Sequence, residues 1–277
     1  MRHGLAALAA VAIALPCFAL PAAEAKNETN PFFMEWATPF GMAPFDKIRI
    51  EHYVPAFQEG IAQRKKEIEA IASNPEPASF ANTVEALENG GLALSKVSDV
   101  FYALAGADTN DQIQAITKQV APLLSSLRDD VRLNDVLFAR VKTVWEKRET
   151  LGLNAEQKRL VEETYKDFVR GGANLSPEQK KRFREINQEL SLLGIRFSDN
   201  LLKETNGYRL VVEKKEDLAG LPPGVVAAAA DAAKAAKLEG KWVFTLQAPS
   251  IWPFLTFSEN RELRKEILTA YTTRCDK

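Results

Sequence analysis

The stretch SPEQKKRFREINQELSLLGIRFSDNLL, residues 176–202, decides the fold class. Ser176, Pro177 and Gln179 form a strong helix start. The Ser hydroxyl accepts from a first-turn N–H, the Gln side chain reaches back to the cap, and Pro stands where no donor is needed. Phe183, Ile186, Leu190, Leu193, Phe197 and Leu201 then recur three or four residues apart. That spacing lines them along one face of a long helix, where such a stripe belongs to packing before it belongs to a ligand site.

The same period continues upstream. A helix is expected over Ala155 to Arg170, with Gly171-Gly172 as its left-handed cap, and another over Asn134 to Glu149. Asp111 to Val131 carries Ile113, Ile116, Val120, Leu124 and Leu127 inward, with a kink at Pro122. Leu92 to Leu104 turns Val97, Val100, Phe101 and Leu104 inward. A shorter helix follows Asn82 as cap and ends at Asn89-Gly90-Gly91. From His52, the residues Val54, Phe57, Ile61, Ile68 and Ile71 share one face until Asn74-Pro75-Glu76-Pro77 stops the helix. Asn30 to Pro44 has no period and many rings (Phe32, Phe33, Trp36, Phe40), which predicts an extended arm pinned into grooves of the body.

Downstream the pattern changes. Tyr208 to Val212 and Lys241 to Leu246 have strand character, separated by a helix over Val225 to Lys237 and followed by a last helix over Glu259 to Tyr271. Two strands alone are marginal in water and need a covering partner. The fold class is therefore mainly α: a multi-helix lobe with a small β element of two short strands near the C-terminal end. The expected domains are a signal peptide over 1–25, an N-terminal helical lobe over 26–206, and a strand-helix-strand-helix region over 207–277 that begins a next, incomplete unit.

The signal peptide rests on the apolar run from Gly4 to Leu20, the break at Pro21, and the small-x-small site Ala23-Glu24-Ala25. It predicts export to the periplasm and no membrane association after cleavage. Net charge is −1, from 36 Lys and Arg against 37 Asp and Glu mixed along the chain, so no basic stripe points to nucleic acid. The two cysteines are Cys17 in the leader and Cys275, which excludes a disulfide scaffold in the mature chain.

Catalytic constellations are missing from the sequence. The two histidines are His3, in the leader, and His52. A catalytic zinc needs three protein ligands, and His-Glu-x-x-His does not occur. The reversed motif comes nearest at Glu51-His52, but its first ligand position holds Ile48. No Gly-x-Ser-x-Gly elbow accompanies His52, which is expected to cap or pack a helix start. Cys275 lacks an activating base, and Glu162, Glu163, Glu185 and Glu189 stand beside Lys and Arg as solvated ion pairs. Accordingly, no catalytic and no metal residue is assigned, the substrate-binding residues are unknown, and this chain by itself has no cofactor.

Two segments carry a resemblance. One runs Asn30-Pro31-Phe32-Phe33-Met34-Glu35-Trp36-Ala37-Thr38-Pro39-Phe40-Gly41 and on through Glu51-His52-Tyr53-Val54-Pro55-Ala56-Phe57. The other runs Ala248-Pro249-Ser250-Ile251-Trp252-Pro253-Phe254-Leu255 into Asn260-Arg261-Glu262-Leu263-Arg264. With Asn82-Thr83-Val84-Glu85-Ala86-Leu87-Glu88 and Leu218-Ala219-Gly220-Leu221-Pro222 between them, they resemble the N-terminal portion of the M3 (thimet oligopeptidase) family of zinc peptidases, nearest its bacterial peptidyl-dipeptidase branch.

The resemblance implies two helical lobes around a channel that admits short peptides. It also implies one zinc held by His-Glu-x-x-His and a downstream Glu, and release of dipeptides from the substrate's C-terminus. This sequence stops near Arg274, before the region in which that motif would lie, so no zinc ligand or general base carries over. The expectation is an exported metallopeptidase fragment, inactive alone, whose full-length parent binds one zinc ion and short peptides. The alternative is a non-catalytic helical peptide-binding or scaffold protein. Self-association is expected through apolar faces of the last helix and the strands, at Leu263, Ile267, Val243 and Leu246.

Overall fold

The computed structural model describes residues 30–276. The expected leader and the lobe's start at Lys26 lie outside the described residues. The chain forms helices α1 (Tyr53–Ala72), α2 (Ala86–Glu88), α3 (Leu92–Ala107), α4 (Asp111–Arg132), α5 (Asp135–Lys147), α6 (Ala155–Arg170) and α7 (Pro177–Gly207). Strand β1 (Leu210–Val212), α8 (Pro223–Ala235), strand β2 (Trp242–Phe244), α9 (Ala248–Phe257) and α10 (Arg261–Thr272) follow. The mainly helical fold with one two-stranded antiparallel sheet near the C-terminal end is the one the sequence predicts. Among the described residues no helix is long and apolar enough to cross a membrane.

Local chemistry sets the helix starts. Ser176 accepts from the Gln179 N–H at 3.3 Å and Gln179 returns a bond to the Ser176 N–H at 3.0 Å. Asn154 and Gln157 repeat this box at α6, and Asn110, Asn134 and Asn260 cap α4, α5 and α10. One cap differs from the sequence reading. Ser79, not Asn82, opens the helical turn over Phe80–Glu85, and the Asn82 side chain closes the box on the Ser79 N–H at 2.9 Å. At Gly171-Gly172 the left-handed residue is Gly172, with φ +96°. α4 continues through Pro122 as one helix.

The N-terminal body is organised by α1, α3 and α4 around Phe57 and Phe101, both fully buried, with ring centroids 5.4 Å apart and nearly perpendicular. Gly60 allows this crossing: a Cβ there would lie 2.8 Å from the Leu94 Cα on α3. A second cluster joins Ile68 and Ile71 of α1 to Leu137, Phe138, Val141 and Phe168 of α5 and α6.

The arm is only partly pinned. Phe32 is buried and Trp36 packs against the first core, but Phe33, Met34 and Phe45 are exposed, and Phe40 is fully so with φ +60°. Asn30 donates to the His52 carbonyl at 2.9 Å, and the Trp36 indole donates to the Pro31 carbonyl at 2.9 Å.

The C-terminal unit corrects another expectation. Leu210 pairs with Phe244 and Val212 with Trp242 across the two strands. α8, α9 and α10 cover this strand pair, so Val243, Leu246 and Ile267 are buried and Leu263 is half-buried. The missing partner was the segment 248–257, which folds as α9 and inserts Ile251 and Phe254.

The unpaired apolar surface lies instead on α7. None of its residues is buried, and Ile186, Leu190, Leu193 and Phe197 stand 37%, 56%, 44% and 58% exposed. The expected stripe exists, but α7 meets α4 along the adjacent side. The side that meets α4 does so through Arg184, Asn187 and Asp199, while Phe183 and Leu190 line the crevice beside it.

Urea unfolding tests this division. Phe101→Ala is expected to lose about 3–5 kcal/mol, as for a large ring deleted from a packed core. Ser176→Ala should lose about 1 kcal/mol as a lost cap. Leu190→Ser should stay within about 0.5 kcal/mol, and a loss comparable to that of Phe101→Ala would place Leu190 in a core.

Candidate functional site

Among the described residues no grouping of three or more His, Cys, Asp and Glu side chains could hold a metal ion. His52 accepts from the Arg49 N–H through Nδ1 at 3.0 Å, while its carbonyl receives Asn30. It shapes the turn into α1, in the capping role expected of it. Cys275 lies beside Glu204, whose carboxylate accepts from the Cys275 N–H at 2.8 Å. Partial desolvation and then the Glu204 charge push its thiol up, with Arg274 opposing, which disfavours the nucleophilic thiolate. Glu162 and Glu163 pair with Lys166, and Glu185 pairs with Arg182 at 3.0 Å.

Two of the concave features bear on a site. The first is a crevice of about 520 Å³ between α4, α6 and α7, lined by Tyr102, Leu124, Arg128, Asp129, Phe183 and Asn187 among others. Its floor is Asp129, 4% exposed, whose carboxylate accepts from the Asn187 Nδ2 at 2.7 Å. Burial pushes the Asp129 carboxyl up from its ordinary value, against the Asn187 hydrogen bond and the Arg184 and Arg128 guanidiniums. Beside it Asp130 takes Arg184 at 2.8 Å and Lys65 at 3.0 Å. Lys118 meets Asp199 at 2.7 Å further along α7. These pairs fix α7 on α4. Asp129 anchors α7 to α4 through Asn187.

The second is a broader concavity of about 1020 Å³ beneath the arm, bounded by Phe33, Met34, Gln58, Gln63, Leu92 and Lys96. Lys96 donates to the carbonyls of Phe32 and Met34 and lies 4.3 Å from the Trp36 ring centroid. Burial lowers its pKa, with Glu35 opposing. The concavity mixes exposed apolar side chains with Gln and Glu amides and carboxylates, a surface suited to an extended peptide (apolar side chains one way, backbone groups the other). Sequence reading found neither feature, because both depend on where α7 and the arm settle, and no motif encodes that.

Comparison with known proteins adds what geometry lacks. No family model matches the chain. It is 39% identical to a dipeptidyl carboxypeptidase of Escherichia coli over 248 residues, 90% of this chain and 36% of the relative. A dipeptidyl carboxypeptidase of Salmonella typhimurium is likewise 39% identical over 90% of this chain, and oligopeptidase A of E. coli is 31% identical over 89%. The chain thus spans only about 36% of the length of the relatives it matches.

The raised Asp129 carboxyl makes a pH prediction. An acid held above its ordinary value is favoured by folding in its neutral form, so its contribution is largest in acid and is lost as pH rises through the folded value. Asp129→Asn should therefore gain stability relative to the parent as pH rises from about 3 to about 7. Urea midpoints whose difference is flat across that range would remove burial as the controlling effect.

Proposed function

We infer from its homology to the N-terminal portion of dipeptidyl carboxypeptidase and oligopeptidase A, peptidases of the M3 family, that this chain supplies the substrate-admitting lobe of an exported zinc peptidase. The observation that carries the reading is 39% identity over 90% of the chain to a protein of which it spans 36%. The activity proposed for the whole protein follows the relative's name, release of dipeptides from a carboxyl end, and short peptides are the substrates proposed for it.

Within that reading the lobe's work is physical. Its helices present concave walls, and the arm concavity bordered by Phe33, Met34 and Lys96 offers an extended peptide both apolar and hydrogen-bonding contacts. The zinc of the proposed parent would supply the water activation of hydrolysis. The described residues of this chain do not fit such a centre, since no cluster of three donor side chains exists among them. No step of peptide-bond cleavage is therefore assigned to any residue here. The proposed location is the periplasm, reached through cleavage after Ala25.

Three experiments test this. The purified chain with added zinc is expected not to hydrolyse short peptides. A fusion of this chain to the remaining portion of the E. coli dipeptidyl carboxypeptidase should release dipeptides in a chelator-sensitive way. Turnover by the chain alone, or a folded but inert fusion, would refute the assignment. Expressed in a Gram-negative host, the protein recovered from the periplasm should begin at Lys26 by N-terminal sequencing, whereas an intact Met1 in the cytoplasm would contradict export.

A further inference from the structure

The crevice between α4, α6 and α7 carries more positive charge than its own walls answer. Its charged lining is Arg128, Arg132 and Arg170 against Asp129 and Asp167. Burial favours the neutral form of Asp129, which widens the excess. Arg132 is bound to Asp167 at 2.8 Å, whereas Arg128 and Arg170 have no ion-pair partner among the described residues. Burial pushes both the Asp129 carboxyl and the Tyr102 hydroxyl up, and Arg128 is near enough to each for its charge to oppose that push.

Two local features place polar groups in this crevice. A Cβ at Gly171 would lie 2.7 Å from the Arg132 Cδ, so the absent side chain lets Arg132 cross the end of α6. Ser125, about one turn before Arg128 on α4, is only 8% exposed and lines the crevice. Its hydroxyl makes no hydrogen bond among the described residues and is free to donate into the space. Beside these groups stand Leu124, Phe183, Leu190 and the Tyr102 ring. The volume, about 520 Å³, falls within the roughly 300–1,000 Å³ of small-molecule sites. Every one of these side chains belongs to α3, α4, α6 or α7.

We propose that this crevice binds a small carboxylate bearing an apolar group, either a free organic acid or the carboxyl end of a short peptide. The carboxylate meets the Arg128 and Arg170 guanidiniums and accepts from the Ser125 hydroxyl. A guanidinium fork matches a carboxylate in shape, and such charge-assisted bonds are the strong ones. The apolar group lies against Phe183 and Leu190, which removes part of their surface from water. A bare inorganic anion would leave that wall unused. The crevice shares no lining residue with the arm concavity, and the inference is independent of the peptidase reading.

Calorimetric titration of the chain with hydrocinnamate, without zinc, tests this. Saturable one-to-one binding is expected. Hydrocinnamide keeps the ring and loses the charge, and should bind about ten-fold or more weakly. Acetate keeps the charge and loses the ring, and should be weaker by a similar factor. Arg128→Gln and Arg170→Gln should each weaken hydrocinnamate by about ten-fold and leave the amide unchanged. Neither breaks an ion pair, so thermal melts should match the parent, and if one variant melts early the other carries the test. N-acetylphenylalanine separates the two sources: tighter binding than hydrocinnamate assigns the site to a peptide end, weaker binding to a free acid. A folded chain without saturable binding would overturn the proposal. So would an amide as tight as the acid, inorganic phosphate as tight as hydrocinnamate, or an affinity indifferent to both arginines.

Discussion

The structure depends on how α7 is held. α7 is a 31-residue helix with none of its residues buried, so apolar packing alone does not fix its rotation on the body. Polar pairs make the choice: Asn187 to Asp129, Arg184 to Asp130 and Lys118 to Asp199 all draw one side of α7 onto α4. The Lys180 ammonium, nearly buried, adds bonds to the Leu133 carbonyl and to Asp135. Surface pairs contribute little to stability individually, but direction is a separate matter from magnitude. The Asp129 bond is buried, and rotating α7 would strand its carboxylate without a donor, which costs more than an exposed pair gains. Fixing one side against α4 leaves the side with Leu190 and Phe197 facing outward.

Function follows the same division. The chain contributes folded walls, an arm and a long helix, and several of its titratable groups hold those parts together. His52 orders a turn, Asp129 anchors a helix, and Lys96 holds the arm's carbonyls. Each is a group that elsewhere might do chemistry, and each is here engaged in architecture. The chain spans about 36% of the length of the relatives it matches.

Much of the fold was legible in the sequence because helix starts are local events. Ser176 with Gln179, and Asn110 as a plain cap, need nothing beyond their own first turn. The Ser79 cap was missed because Ser and Asn three residues apart satisfy one another, so either could be taken for the opener. The error over burial has a different origin. Periodicity states that Leu190 and Ile267 each lie on an apolar face, but not which face finds a cover within the chain. Ile267 did, because α9 packs beneath the strand pair, and Leu190 did not. The candidate concavities were invisible for that same reason: they are gaps between elements, defined by non-local contacts. Family kinship was legible only through motif resemblance.

The attachment of the C-terminal unit has a mechanical consequence. That unit has its own core, and its hydrogen bonds to the rest of the described chain run to Glu204, Thr205 and Asn206, the last turn of α7. α7 is about 46 Å long at 1.5 Å per residue and is gripped along α4 by its first two thirds. It is a lever whose last hold on α4 is the Lys118–Asp199 pair, with a load at the tip. Swinging the roughly 12 Å beyond Asp199 by about 5° carries the strand pair sideways by about 1 Å, while the side chains at that hold barely shift.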